Sequence, residues 1–109
     1  MQAVINLQES LDEAFCSMRL EAHPGSSSAS VISSDTDEED VYAGQEEILG
    51  CTAQKYTCKL ELLDQDIQID TFYLDHNGTC YSVSFISTEE HSAIFRMKMQ
   101  PLLDNITLK

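Results

Sequence analysis

The 109-residue sequence has no tryptophan, four glycines, two prolines and only six lysines and arginines against nineteen acids. Each scarcity excludes something. No stretch approaches the roughly 18 apolar residues of a membrane-spanning helix, and no basic segment leads an apolar one as in a secretory signal. The expected compartment is therefore the reducing cytoplasm. The sparse glycines form no phosphate-cradling loop. A formal net charge of −13 repels phosphate backbones and anionic membranes, which argues against direct nucleic-acid or membrane partners and leaves basic proteins open. The excess is uneven: residues 1–50 hold eleven acids against Arg19 alone.

Chemistry-bearing patterns are scarce too. Cys16, Cys51, Cys58 and Cys80 lack the Cys-x-x-Cys spacing of a zinc site and the density of a disulfide scaffold, so free thiols are expected. His23, His76 and His91 do not have ligand spacing, and the acidic run at 35–40 lacks the spacing and glycine bend of a calcium loop. Asp64 and Asp66 suit a turn, and Glu89 and Glu90 suit a helix start, before any acid–base role is needed. No nucleophile elbow is present. Neither a cofactor nor a metal is expected, and the reading is non-enzymatic.

What the chain does have is alternation. Tyr56 to Leu63, Ile67 to Tyr73 and Tyr81 to Phe85 each alternate apolar with polar residues, which predicts a three-stranded antiparallel meander. Reading Asp75-His76-Asn77-Gly78 as a type I turn with a three-residue loop pairs Tyr73 with Tyr81, and a four-residue loop at 63–66 pairs Leu62 with Ile67. The expected core face is then Tyr56/Tyr73/Tyr81, Cys58/Thr71/Val83 and Leu60/Ile69/Phe85. Phe72, Leu74 and Ile86 fall on the opposite face, where they demand a cover and form the expected protein-interaction surface. The strand from Tyr56 to Leu62 is a candidate open edge.

Around this sheet, Val4, Leu7, Leu11, Phe15 and Met18 recur at helical steps, which predicts an amphipathic helix over residues 1–22. Residues 23–47, rich in Ser, Asp and Glu, read as a flexible linker. Within it, Ser34 and Thr36 have acids at plus three and resemble acceptors of an acidophilic kinase. Val31-Ile32 before that run resembles a degenerate SUMO-interacting motif, which docks as an added strand. Residues 48–109 form the β-meander and a C-terminal helix, started at Ser87-Thr88-Glu89-Glu90 and striped by Ile94, Phe95, Met99, Leu102, Leu103 and Ile106. Pro101 is expected to kink or divide that helix. The fold class is α+β: a small antiparallel sheet, a C-terminal helix on one face, and an N-terminal amphipathic helix.

Tyr81-Ser-Val-Ser-Phe85 running into Ser87-Thr88-Glu89-Glu90, then Phe95 and Leu102-Leu103-Asp104-Asn105-Ile106, resembles the end of PsbP-like and DcrB-related domains. The resemblance spans residues 79–109. It implies an α/β/α sandwich serving as an adaptor, secretion chaperone or accessory subunit. Two function classes follow: a protein-interaction module of adaptor, chaperone or immunity type, able to form a homodimer, or an acidic decoy that mimics nucleic acid to occupy a basic protein. Salt separates them, because decoy binding weakens steeply with ionic strength and apolar docking does not.

Overall fold

Asn77 and Gly78 both have left-handed backbone, φ 50° and 76°, and close a two-residue hairpin in which His76 pairs with Thr79. Positive φ at both central positions is the type I′ geometry, whose twist matches that of the strands it joins. The turn fixes the register of everything beside it: Phe72 lies opposite Val83, Tyr73 opposite Ser82 and Asp70 opposite Phe85. This corrects the three-residue loop and its Tyr73–Tyr81 pair. A slip of one position exchanges the faces of a strand, so Phe72, Leu74, Val83 and Phe85 share one face, while Tyr73, Thr71 and Ile69 share the other. The preceding hairpin also closes on two residues, with Leu62 opposite Gln65 and Asp64 at φ 62°. Gly78→Val is expected to cost roughly 1–3 kcal/mol, because a β-branched residue is strained at positive φ. The urea midpoint reads this directly.

The computed structural model describes residues 4–11, 14–36, 39–62 and 64–106, with the backbone alone for the strand positions up to Phe15 and for Leu62. In chain order the elements are β1 (Val4–Leu11), β2 (Ala14–Pro24), α1 (Ser28–Asp35), β3 (Val41–Ile48), β4 (Cys51–Leu62), β5 (Gln65–His76), β6 (Thr79–Thr88), a 3-10 turn (Glu89–His91) and α2 (Ser92–Asp104). The strands form one antiparallel sheet in the order β1-β2-β6-β5-β4-β3. The fold is α+β, with the C-terminal helix on one sheet face and a short helix from the N-terminal half on the other.

The N-terminal segment is thus a hairpin rather than the expected helix. Cys16, Met18 and Leu20 alternate and are buried, at 0%, 0% and 7% exposure, while Arg19 between them is exposed. Met18 faces Phe85 and Leu20 faces Val83 across β2 and β6. This distant partner satisfies a period of two that the helical spacing of the same apolar residues concealed.

The expected linker over residues 23–47 holds α1 and most of β3. Ser27 caps α1 by accepting from the Ser30 N–H at 3.2 Å, and the Ser28 N–H donates to Asp75 Oδ1 at 2.8 Å. The Gly25 N–H donates to the Gly78 carbonyl at 3.0 Å, which ties the helix entry to the β5–β6 turn. Few apolar side chains are needed, because caps and turns satisfy the backbone and Val31 alone is driven fully into the sheet. Val31-Ile32 is therefore helical, not the extended strand a SUMO-docking segment adopts.

The principal core lies between the sheet and α2. Phe95, Met99 and Leu103, spaced by four, are at most 2% exposed and pack on Met18, Ala53, Phe72, Leu74, Val83 and Phe85. Phe85 meets Phe72 and Phe95 edge-on at 5.9 and 6.2 Å between ring centroids. The guanidinium of Arg96 lies over the Phe72 and Phe85 rings at 4.7 and 5.0 Å and bonds Glu46 at 2.9 Å. The expected core face is corrected with the register: of Tyr56, Leu60, Ile69 and Phe85, only Phe85 lies under α2. Helix α2 begins later than Ser87, which is buried on β6, and it continues undivided through Pro101 to Asp104. Proline removes a single bond, the one its N–H would make to the carbonyl four residues back, and the buried Met99 and Leu103 on either side of it hold the helix to the sheet.

Candidate protein-interaction face

The sheet face opposite α2 is built from rows of paired strands. The first row runs Tyr73, Ser82, Glu21; the second Tyr56, Thr71, Ser84, Arg19; the third Cys58, Ile69, Ile86, Ser17; the fourth Leu60, Ile67, Thr88. Helix α1 covers one end: Val31 packs on Tyr73 and Cys80, with Ile32 and Tyr56 at the margin. Tyr42, Tyr56 and Tyr73 form an edge-to-face series, with centroids 5.4 and 5.9 Å apart. Next comes a polar band, where Thr71 and Ser84 share a hydrogen bond of 3.1 Å and Arg19 Nε meets Glu21 at 2.6 Å. Beyond it the face turns apolar again. Leu60, Ile69 and Ile86 are half-buried and Cys58 and Ile67 are buried, and among the described residues none of the five joins either apolar cluster.

This far end adjoins a strand edge. The β3 ladder on β4 stops at Val41 opposite Thr57, so Cys58 to Leu62 extend past the start of β3. Val41 and Tyr42, at that boundary, are 63% and 51% exposed. Exposed apolar side chains beside an unfinished ladder provide both specificity and main-chain bonding for an added segment.

Burial raises the Tyr73 phenol above its ordinary value, and the charges of Asp35, Asp40, Cys80 and Tyr56 add to the shift. Burial raises the Cys80 thiol as well; a hydrogen bond with Ser28 opposes this, while Asp75 and Asp35 reinforce it. Both groups hold their protons more tightly folded than unfolded. Their contribution is complete below the unfolded values, about 8.5 for the thiol and about 10 for the phenol, and is lost as pH rises above them. The denaturant midpoint should fall on the alkaline side of about pH 9, and Tyr73→Phe with Cys80→Ala should flatten that decline.

One polar cluster gathers a histidine, a serine and a carboxylate. His23 Nε2 lies 3.3 Å from Ser82 Oγ and 3.6 Å from Glu21 Oε2. Serine and carboxylate meet the same ring nitrogen, whereas a relay needs them on opposite nitrogens. The sequence shows nothing of this cluster, since residues 59 positions apart meet only through the β2–β6 pairing.

The residues expected to bind a partner are dispersed. Phe72 and Leu74, at 0% and 1% exposure, belong to the α2 core, and Val31 at 7% belongs to the α1 contact. Ile32 is half-buried at its margin, and Ile86 lies on the α1 face, away from Phe72 and Leu74. Ser34 is exposed on α1 with its hydroxyl donating to the Ser30 carbonyl at 3.2 Å, and Thr36 caps the helix by donating to Ile32 at 2.6 Å. Asp37, the acid at plus three from Ser34, lies outside the described residues. Among the described residues no group of three or more His, Cys, Asp or Glu is placed to hold a metal, and no helix is long and apolar enough to cross a membrane.

No family model matches the chain, and no curated protein matches it. Its backbone is similar to that of PA94 from Pseudomonas aeruginosa, a protein of unknown function described as a candidate regulator. The TM-score is 0.61 at 11% identity, over 98% of this chain and 86% of that one. It also aligns with LpqN of Mycobacterium tuberculosis, involved in cell envelope biogenesis, at TM-score 0.47 and 8% identity, over 95% and 82% of the two chains. The PA94 likeness establishes a shared fold alone.

Proposed function

We propose that this protein is a non-enzymatic interaction module, of adaptor or chaperone type, that takes an apolar segment of another protein onto the half of the sheet face that α1 leaves open. The observation that carries the reading is the apolar surface of Leu60, Ile69 and Ile86 beyond the polar band, beside the strand edge at Cys58 to Leu62. A sheet face facing only water would alternate to polar residues there. The resemblance of residues 79–109 to PsbP-like and DcrB-related domains points the same way, as does a sequence without a catalytic motif.

The partner side should be apolar with a basic flank, because Asp40 just precedes β3 and Glu61 lies exposed on the part of β4 that extends past it. The test is affinity capture with the wild-type chain and with Leu60→Asp and Ile69→Asp, each variant first shown to keep its circular dichroism. A partner held by the wild type in about 0.5 M salt and lost by both variants supports apolar docking. Retention by the variants, with release of the partner by salt alone, would replace this reading with the acidic decoy.

A further inference from the structure

We propose that Cys51 and His76 form a thiol–imidazole pair that makes Cys51 the site at which this protein exchanges with small disulfides. Two hairpin tips bring the pair together. Leu49 and Gly50, at φ 55° and 78°, turn β3 into β4 at Cys51, while Asn77 and Gly78 turn β5 into β6 just after His76. Cys51 Sγ lies 4.0 Å from His76 Nδ1, and Asn77 Nδ2 donates to His76 Nε2 at 3.2 Å. That bond places the imidazole proton on Nδ1, where it faces the sulfur. A sulfur nucleophile facing an N–H donor that a third side chain holds in place is an arrangement that can receive a thiolate, and such pairs are often long before a reactant is bound.

The other thiols are placed differently. Cys16 and Cys80 are fully buried and Cys58 is 9% exposed, whereas Cys51 and His76 are both half-buried and reach solvent. Nor can another cysteine close a bond with Cys51. Cys58 and Cys80 face the opposite side of the sheet, and Cys16 lies at its far end beside Ser87. The product is therefore a mixed disulfide with the small molecule. The thiol proton leaves to solvent, and the sulfur then accepts from Nδ1–H. The sulfur lone pair attacks one sulfur of the small disulfide, the old S–S bond breaks, and the departing thiolate takes a proton from solvent. One disulfide is consumed and one formed, so no further oxidant is required.

The test exposes the full chain to oxidised glutathione, quenches with acid, and maps adducts by mass spectrometry, natively and in urea. Cys51 should be modified first, at least about tenfold faster than each of the other three thiols and faster than Cys51 of the unfolded chain. His76→Ala should remove that native advantage while leaving circular dichroism unchanged, and Cys51→Ser should abolish the early adduct. A Cys51 that reacts no faster folded than unfolded, or at the same rate without His76, is merely exposed and overturns the proposal. So does first modification at Cys16, Cys58 or Cys80.

Discussion

Phe72→Ala should cost about 3–5 kcal/mol, a large share of the roughly 5–15 kcal/mol that holds a domain folded. The ring is fully buried, meets Phe85 edge-on at 5.9 Å, and carries the Arg96 guanidinium at 4.7 Å and the Lys55 ammonium at 5.7 Å. Truncation leaves a cavity and takes from Arg96 one of the two aromatic faces that accompany its burial. Among the described residues Arg96 Nε is buried with no hydrogen-bond partner, which makes those faces weigh more. Phe72→Asp should abolish the cooperative urea transition altogether, since it puts a carboxylate in a fully buried site and leaves most of the ring's volume unfilled. A Phe72→Asp chain that unfolds at the wild-type midpoint would return Phe72 to the surface and undo the observed register.

Phe95→Ala is the second large effect, again about 3–5 kcal/mol, because Phe95 is the first buried anchor by which α2 closes the core. The double variant with Phe85→Ala adds information. The rings lie edge-on at 6.2 Å, and a coupling of about 0.5–1.5 kcal/mol beyond area burial is expected for such a pair. Denaturant titrations of the four species measure it. Strict additivity would mean that α2 rests on the sheet without a specific seat at Phe85.

The three central strands and the C-terminal helix were legible because each carries a local signal: alternation for the strands, and Phe95, Met99 and Leu103 on one helical stripe. Their register was not. A three-residue loop sets apolar residues opposite one another on a single covered face, with Thr71 and Tyr73 beside Val83 and Tyr81. That argument assumes one dry face, yet this sheet carries a helix on each side, so Tyr73 and Cys80 are buried as fully as Phe72 and Val83. Under two covers alternation no longer selects a register, and the turn chemistry of Asn-Gly decides. The N-terminal hairpin was concealed for another reason. Val4, Leu7 and Leu11 do fall at helical spacing, and what overrides it is the pairing of β2 with β6, which no short window contains. The interaction surface inherited the register error, while Cys51 with His76 left no trace because neither residue lies near the other in sequence.

Strand β2 completes its ladder with β6, matching Pro24 to Thr79 and Cys16 to Ser87, although α1, β3, β4 and β5 all intervene in the chain. Strands β3, β4 and β5, by contrast, each pair with the next strand along. The kinetic consequence is a division of labour. The meander can form through short loop closures, whereas docking β2 requires closing the longest loop in the fold and comes last. During synthesis the inner edge of β2, with Met18 and Leu20, stays without its partner until β6 has emerged, which is when a chaperone would hold it. Substitutions at Met18 and Leu20 should therefore speed unfolding and leave the folding rate nearly unchanged, while those at Phe72 and Val83 should slow folding itself, as stopped-flow rates in urea would measure.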